Sequence, residues 1–230
     1  DGLLHNHDRQ DAISPIVEAL NLPNLRLHKK SGVYETADDR FRLCVMSCSD
    51  EENFDKAAPV EGKINIATYH GSVTGCVTDI GWELEAESKL DMFELYDVTL
   101  LGDIHKMQFM NAKKNIAYAG SFVQNGYGES AVKGFLMWTI RDKDDFDVEF
   151  KQISNPTPYV TLRIDDLDSK IDSLLPGSRV RVVVPAGLDS AIIRSTAARV
   201  KAVVKPAEVV FKFEEQKTQK FTPETLAEDR

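Results

Sequence analysis

Short apolar runs, bounded by polar, glycine-rich or proline-containing stretches, recur along the first two thirds of the chain. Such runs, often β-branched, are typical of strands. The pattern predicts strands at residues 25–28, 33–35, 41–46, 64–69, 98–101, 116–119, 134–140 and 147–153. Helical spacing is confined to residues 11–20 and to a turn at 90–95, and the polar stretch 50–62 is predicted as a loop.

The pattern changes after residue 155. Pro156 and Pro158 resist both helix and central strand, so the segment around them is the predicted domain boundary. Beyond it, predicted strands and helices alternate, as is typical of a small α/β domain. The strands are at 159–164, 180–184 and 209–213, and the helices are at 167–174 and 191–204. The predicted domains are 1–155 and 156–215, followed by a polar tail at 216–230.

Two of the predicted strands end in residue types that bind metals, each beside a glycine. His70 follows the strand at 64–69, and Asp103 and His105 follow the strand at 98–101. Residues two apart in extended chain point to the same side, and ligands of open α/β sheets collect at the carboxyl ends of strands. Imidazole and carboxylate groups suit Mn, Fe and Zn. Taken singly, His70 is also explained as an ordinary strand-end histidine, and Asp103 as a turn or cap residue.

Composition narrows the class of protein without deciding its function. The 230 residues are 42% hydrophobic and 28% charged, as in ordinary globular proteins. No apolar run approaches the ~18 residues of a membrane span. A net charge of −9 argues against indiscriminate nucleic-acid binding, although residues 156–215 carry 9 Lys and Arg against 8 Asp and Glu. The three cysteines lack zinc-type spacing and are predicted as reduced core thiols of a cytoplasmic protein.

Four segments occur in the order and approximate spacing of a known set. They are Ala-Thr-Tyr-His-Gly at 67–71, Leu-Gly-Asp-Ile-His-Lys at 101–106, Tyr-Ala-Gly-Ser at 118–121 and Gly-Phe-Leu at 134–136. Together they resemble the later motifs of calcineurin-like metallophosphoesterases, above all the SbcD-like DNA double-strand-break-repair exonucleases and their viral forms. The resemblance implies an α/β fold: a layered β-sandwich flanked by helices, here incomplete at its N-terminus. Residues 156–215 then stand in the place of the family's small α/β capping domain.

The resemblance assigns metal-ligand roles to three residues. His70 matches the family's lone histidine ligand, and Asp103 and His105 match its Gly-His-x-His ligand pair. Aspartate replaces the first histidine of that pair, which preserves a ligand and favours harder ions. The implied cofactor is a two-metal Mn²⁺ centre, with Mg²⁺, Fe or Zn²⁺ as alternatives.

Further residues are predicted to contact the substrate. Ser121, Gln124 and Asn125 lie where the family has its substrate-side loop, and a polar turn is the alternative interpretation. The predicted DNA-binding residues of the capping domain are Arg179, Arg181, Arg194 and Lys201. A role of these cations in solubility alone is the alternative.

The family's earlier motifs, Asp-x-His and Gly-Asp-x-x-(Asp/His), are absent. Its Gly-Asn-His-Asp motif has two alternative placements. Either residues 6–8 form it, or Asp1 is its last residue and the general-acid histidine stands just before Asp1. The second placement is favoured because it also accounts for residues 11–16, and it leaves His7 without a catalytic role. We therefore expect an incomplete active site, with weak Mn²⁺ binding and no DNA cleavage by the isolated chain.

The implied function is that of a metal-dependent DNA exo- or endonuclease subunit in recombination and repair. Its implied partners are DNA and an SbcC-like coiled-coil ATPase, with a homodimer as a further expectation and no membrane. The expected location is the cytoplasm, or the host cytoplasm for a viral protein. Two alternatives stay open: a phosphatase or phosphodiesterase for small substrates, and a non-catalytic DNA-binding or assembly module. The capping domain argues against the first, whereas Asp103 and the absent motifs favour the second.

Overall fold

The computed structural model describes residues 26–214, which form two compact units. Unit 1 comprises residues 26–123 and 128–153, and unit 2 comprises residues 124–127 and 154–214. Both contain β-sheet, and the predicted α/β class is confirmed. The predicted helix at 11–20, the alternatives at residues 6–8 and the tail at 216–230 lie outside the described residues.

A six-stranded sheet forms the centre of unit 1, in the order β1-β2-β3-β4-β6-β5. Its strands are β1 (Gly32–Glu35), β2 (Phe41–Met46), β3 (Ile64–His70), β4 (Val98–Gly102), β5 (Gln108–Phe109) and β6 (Ile116–Tyr118). Strands β2, β3, β4 and β6 run parallel, whereas β1 and β5 are antiparallel to their neighbours. The carboxyl ends of the four parallel strands therefore share one edge of the sheet.

The strands of unit 1 are apolar in sequence because their side chains form the core of the unit. Val98 and Ile116 are fully buried, and the cluster around the sheet includes Phe93 from the 3-10 helix at Leu90–Phe93. All three cysteines lie among the described residues, and no disulfide joins them. Cys44 and Cys76 are buried, as predicted for core thiols, whereas Cys48 is only half-buried. Cys44 lies fully inside this core, and burial raises the pKa of its thiol to about 11. It is therefore a packing residue with little nucleophilic character.

A two-stranded antiparallel sheet completes unit 1. It consists of β7 (Lys133–Ile140) and β8 (Phe146–Ile153). Trp138 and Phe146 pack together, with ring centroids 5.9 Å apart. Lys133, the first residue of β7, is buried, which is unusual for a lysine and marks a specific polar contact.

Unit 2 is built on a parallel three-stranded sheet in the order β11-β10-β9. Its elements are β9 (Tyr159–Arg163), α1 (Leu167–Lys170), β10 (Arg179–Val184), α2 (Ser190–Val204) and β11 (Glu208–Phe213). Alternate valines of β10 are fully buried in one cluster with Val200 and Val204 of α2. The Asp189 side chain caps α2 by accepting a hydrogen bond of 2.6 Å from the Ala191 backbone N–H.

Two sequence predictions for the described residues were wrong, and strand β5 was not predicted. Residues 26–28 form no strand, and the stretch 50–62 contains a 3-10 helix at Glu51–Ala57. The 3-10 helix follows a buried carboxylate, that of Asp50, which accepts hydrogen bonds from Ser31 N–H and Asn53 Nδ2, both at 2.8 Å. Among residues 26–214, no helix is long and apolar enough to cross a bilayer.

Candidate metal centre at the sheet edge

His70 and Gly102 lie side by side, because the register of parallel strands β3 and β4 pairs them directly. A methyl group on residue 102 would lie only 2.6 Å from Nδ1 of His70. Glycine therefore allows the imidazole to lie across the end of β4. The His70 side chain is exposed, so its ring is accessible from solvent at this edge.

Asp103 leaves β4 with an unusual backbone conformation. Its φ of 90° lies in a region that residues with a Cβ rarely adopt. Such backbone costs about 1–3 kcal/mol and concentrates at functional sites. The Asp103 carboxylate accepts a hydrogen bond of 3.3 Å from the Ser72 hydroxyl, two residues beyond His70. The segments that follow β3 and β4 are thus linked through this carboxylate.

Tyr118, at the end of β6, fixes the backbone that follows His70. Its hydroxyl donates to the Gly71 carbonyl at 2.8 Å and accepts from the Val73 N–H at 2.9 Å. The ring is fully buried, and this desolvation raises the pKa of Tyr118 far above its ordinary value. The hydroxyl is therefore a neutral structural bridge between a strand end and the adjacent loop.

Replacing Tyr118 with phenylalanine is expected to destabilise unit 1 by about 1–3 kcal/mol, because two enclosed backbone groups lose their partner. Urea denaturation followed by tryptophan fluorescence measures this unit alone, since both tryptophans, Trp82 and Trp138, belong to it. Tyr34→Phe is the matched control, because the Tyr34 hydroxyl donates to the Lys30 carbonyl at an exposed position. An equal effect of the two substitutions would contradict the role assigned to Tyr118.

His105 is held through both its ring and its backbone. Its Nδ1 lies 2.9 Å from Oε1 of Glu129, and its carbonyl accepts from Lys133 Nζ at 2.8 Å. The Lys133 ammonium also lies 3.1 Å from Oε2 of Glu129 and 3.0 Å from Oδ2 of Asp79. The Lys133 side chain is only 2% exposed, whereas that of His105 is 45% exposed. A buried ion cluster thus presents an accessible imidazole.

The three predicted ligands occupy the predicted edge, but each side chain has its own environment. His70 lies against Gly102, Asp103 accepts from Ser72, and His105 contacts Glu129. Within residues 26–214, no three His, Cys, Asp or Glu side chains form a group that would hold a metal ion. The donors fit a divalent ion in type, and His105 also fits in orientation, because metal-binding histidines usually hold a carboxylate or carbonyl on their second nitrogen. A complete shell needs donors beyond these three.

The predicted substrate-side residues have different environments. The Ser121 hydroxyl donates to the Val123 carbonyl at 2.9 Å, which is a local turn contact. Gln124 is 5% exposed, and its amide pairs with the backbone of Tyr159 by accepting from N–H at 3.0 Å and donating to the carbonyl at 3.3 Å. The structure thus gives Gln124 a structural role within unit 2. Asn125 is exposed.

The predicted DNA-binding cations lie on two sides of the unit 2 sheet. Arg179 and Arg181 alternate with the buried valines of β10 and so lie on the face away from the core. Each guanidinium stacks on a tyrosine ring, at 5.0 and 4.8 Å from the ring centroid. Arg194 and Lys201 are exposed on α2, which packs against the opposite face. Arg179 and Arg181 therefore lie on the opposite side of the unit 2 sheet from Arg194 and Lys201.

A cavity of about 350 Å³ lies at the opposite edge of the main sheet, near the amino ends of β2 and β3. Its walls carry Asp38, Asp39, Arg40, Lys63 and Arg141. These charges compensate one another, since Arg40 pairs with Asp38 at 2.7 Å and Lys63 pairs with Asp39 at 2.5 Å. The cavity has none of the imidazoles and strained backbone that mark the carboxyl edge.

Sequence reasoning missed Glu129, Lys133 and Asp79. Glu129 lies in a polar loop, and Asp79 lies in another, so neither belongs to a periodic pattern. Lys133 contacts Asp79 across 54 positions of sequence. The one available signal was a lone lysine that begins an apolar strand, and it does not identify a partner.

No family model matches the chain. Among curated proteins, the chain is similar to an uncharacterized protein of Acanthamoeba polyphaga mimivirus, with 35% identity over 192 residues. The match covers 79% of this chain and 14% of that protein. The chain is therefore similar to a viral protein of which it spans about one seventh of the length.

Proposed function

We propose that this chain forms part of a metal-dependent phosphodiesterase that cleaves DNA. The observation that carries the proposal is the register of β3 and β4, which places His70 beside the glycine that precedes Asp103 and His105. Two imidazoles and a carboxylate at one edge of a parallel sheet are a suitable start for a divalent-metal site. The motif resemblance supplies the substrate class, and it is the reason for preferring DNA to a small phosphate ester.

The ligands proposed for the metal ions are His70, Asp103 and His105, with Mn²⁺ as the preferred ion. When bound, such ions would supply an activated water and a counter-charge for the phosphate oxygens. The residues around these ligands position the side chains and the backbone of the site. Gly102 makes room for the His70 ring, and Tyr118 holds the backbone after it. The proposal also includes further metal ligands beyond these three residues. It includes two partners, an SbcC-like ATPase and a second copy of the chain.

A second candidate is a non-catalytic DNA-binding or assembly module. It is favoured by the finding that no three donor side chains converge within residues 26–214. Asp103, which replaces a histidine of the resembled motif, also agrees with it. The two candidates make different predictions about turnover.

The test uses this 230-residue chain and the protein encoded by the whole reading frame in which it lies. We expect the protein encoded by the whole reading frame to cleave labelled single- or double-stranded DNA with Mn²⁺, and EDTA to abolish cleavage. His70→Ala should reduce kcat by about 100-fold or more, because the reacting groups lose their placement. Isothermal titration of the 230-residue chain should show weak Mn²⁺ binding that His70→Ala removes.

Three outcomes separate the candidates. Cleavage that depends on His70 supports the nuclease. DNA binding without cleavage, by a folded product, supports the non-catalytic module. Cleavage that persists undiminished in both His70→Ala and His105→Ala would place the active site elsewhere and contradict the metal-ligand assignment.

A further inference from the structure

Glu129 lies between His105 and a buried lysine. One carboxylate oxygen is 2.9 Å from His105 Nδ1, and the other is 3.1 Å from Lys133 Nζ. Lys133 also contacts the His105 carbonyl, at 2.8 Å. The same two residues therefore restrain both the ring and the backbone of His105.

Lys133 lies between two carboxylates, with its Nζ 3.0 Å from Asp79 Oδ2 and 3.1 Å from Glu129 Oε2. The Asp79 and Glu129 side chains are only 8% and 16% exposed, so solvent screens these contacts weakly. The Glu129 carboxylate is thus held in place beside the His105 ring.

We propose that Glu129 is a positioning residue for His105. By accepting the Nδ1–H hydrogen bond, it keeps the lone pair of the neutral ring on Nε2, the nitrogen through which His105 would then bind a divalent cation. Lys133 fixes Glu129 in turn. The inference rests on the proposed function in one respect, that His105 is a metal ligand, and it adds a residue that no sequence motif indicated.

The tautomer of His105 provides a test that needs neither DNA nor activity. In the chain labelled with ¹⁵N-histidine and kept free of metal, we expect a protonated Nδ1 and an unprotonated Nε2 for His105. Added Zn²⁺ should shift the Nε2 resonance. A wild-type spectrum with the proton on Nε2 would overturn the inference before any variant is made.

Metal affinity provides a second test of the role of Glu129. Glu129→Ala should weaken Zn²⁺ binding, measured by isothermal titration, by about 10- to 100-fold, as is usual when such a partner is lost. Glu129→Gln keeps an acceptor oxygen for Nδ1–H and should retain the tautomer and most of the affinity. If the alanine variant is partly unfolded, the ¹⁵N spectrum of the wild-type chain decides the question. Glu94→Ala is the matched control, because this exposed carboxylate lies near the other edge of the sheet.

The variants also distinguish failure of this inference from failure of the proposed function. If His105→Ala weakens Zn²⁺ binding but folded Glu129→Ala does not, the metal site stands and Glu129 has no positioning role. If His105→Ala leaves binding unchanged, both the inference and the assignment of His105 as a ligand are wrong. In the double variant, Glu129→Ala should add nothing to the loss caused by His105→Ala.

Discussion

Replacing Lys133 with methionine is expected to destabilise unit 1 by about 3–5 kcal/mol, which is the usual cost of removing one partner from a buried ion cluster. The Lys133 ammonium contacts Asp79, Glu129 and the His105 carbonyl, and its side chain is 2% exposed. Without it, two carboxylates face each other with little solvent. Urea denaturation followed by tryptophan fluorescence measures the loss for this unit.

Lys113→Met provides the control for removal of a lysine charge. Lys113 pairs with Asp144 at 2.7 Å, but the two side chains are 49% and 86% exposed. Exposed ion pairs contribute about 0–1 kcal/mol to stability, so the unfolding midpoint of this variant should be close to that of the wild type. Equal unfolding midpoints for the two variants would show that the Lys133 cluster does not stabilise the unit.

The main strands were predictable because each is a local pattern. Strand β2 coincides with its predicted bounds at Phe41–Met46, where five of the six residues are apolar. Helix α2 was predicted at 191–204 and forms at Ser190–Val204, where its buried residues Thr196, Val200 and Val204 recur at a helical spacing of four. Both signals depend on neighbours in sequence, which is the information that a single chain supplies.

Strand β5 could not be predicted in this way. It has two residues, and the Gln108 side chain makes paired hydrogen bonds of 2.9 Å with the backbone of Val77. That contact spans 31 positions and leaves no periodic trace. The 3-10 helix at Glu51–Ala57 was missed for a similar reason, because its polar sequence is ordered by the Asp50 carboxylate.

In the candidate site, too, some features follow from local sequence pattern and others depend on tertiary contacts. His70, Asp103 and His105 were predicted because strand ends beside glycines are visible in the sequence, and the register of the sheet pairs the ends of β3 and β4. The direction of each side chain was not predictable. It depends on Ser72 for Asp103 and on Glu129 for His105, and the second contact spans 24 positions. Local pattern thus located the edge, and tertiary contacts decided what each group does there.

Replacing Gly120 with alanine is expected to destabilise unit 1 by about 2–4 kcal/mol, through both backbone conformation and crowding. Gly120 has a φ of +79°, and an added methyl group would lie 2.9 Å from the His105 carbonyl oxygen and 2.9 Å from the Met107 nitrogen. These are backbone atoms, so relief requires the His105 segment itself to move. Urea denaturation followed by tryptophan fluorescence measures the loss of stability.

Gly62→Ala separates the two causes. Gly62 has a similar φ of +75°, but an added methyl group there meets nothing within 4 Å. That variant should show only the backbone cost of about 1–2 kcal/mol. The excess in Gly120→Ala then measures the crowding against His105, and a shift of the His105 ring resonances in that variant alone should accompany it. If both variants lose the same stability and His105 keeps its resonances, the close packing of Gly120 against the His105 backbone has no effect on the site.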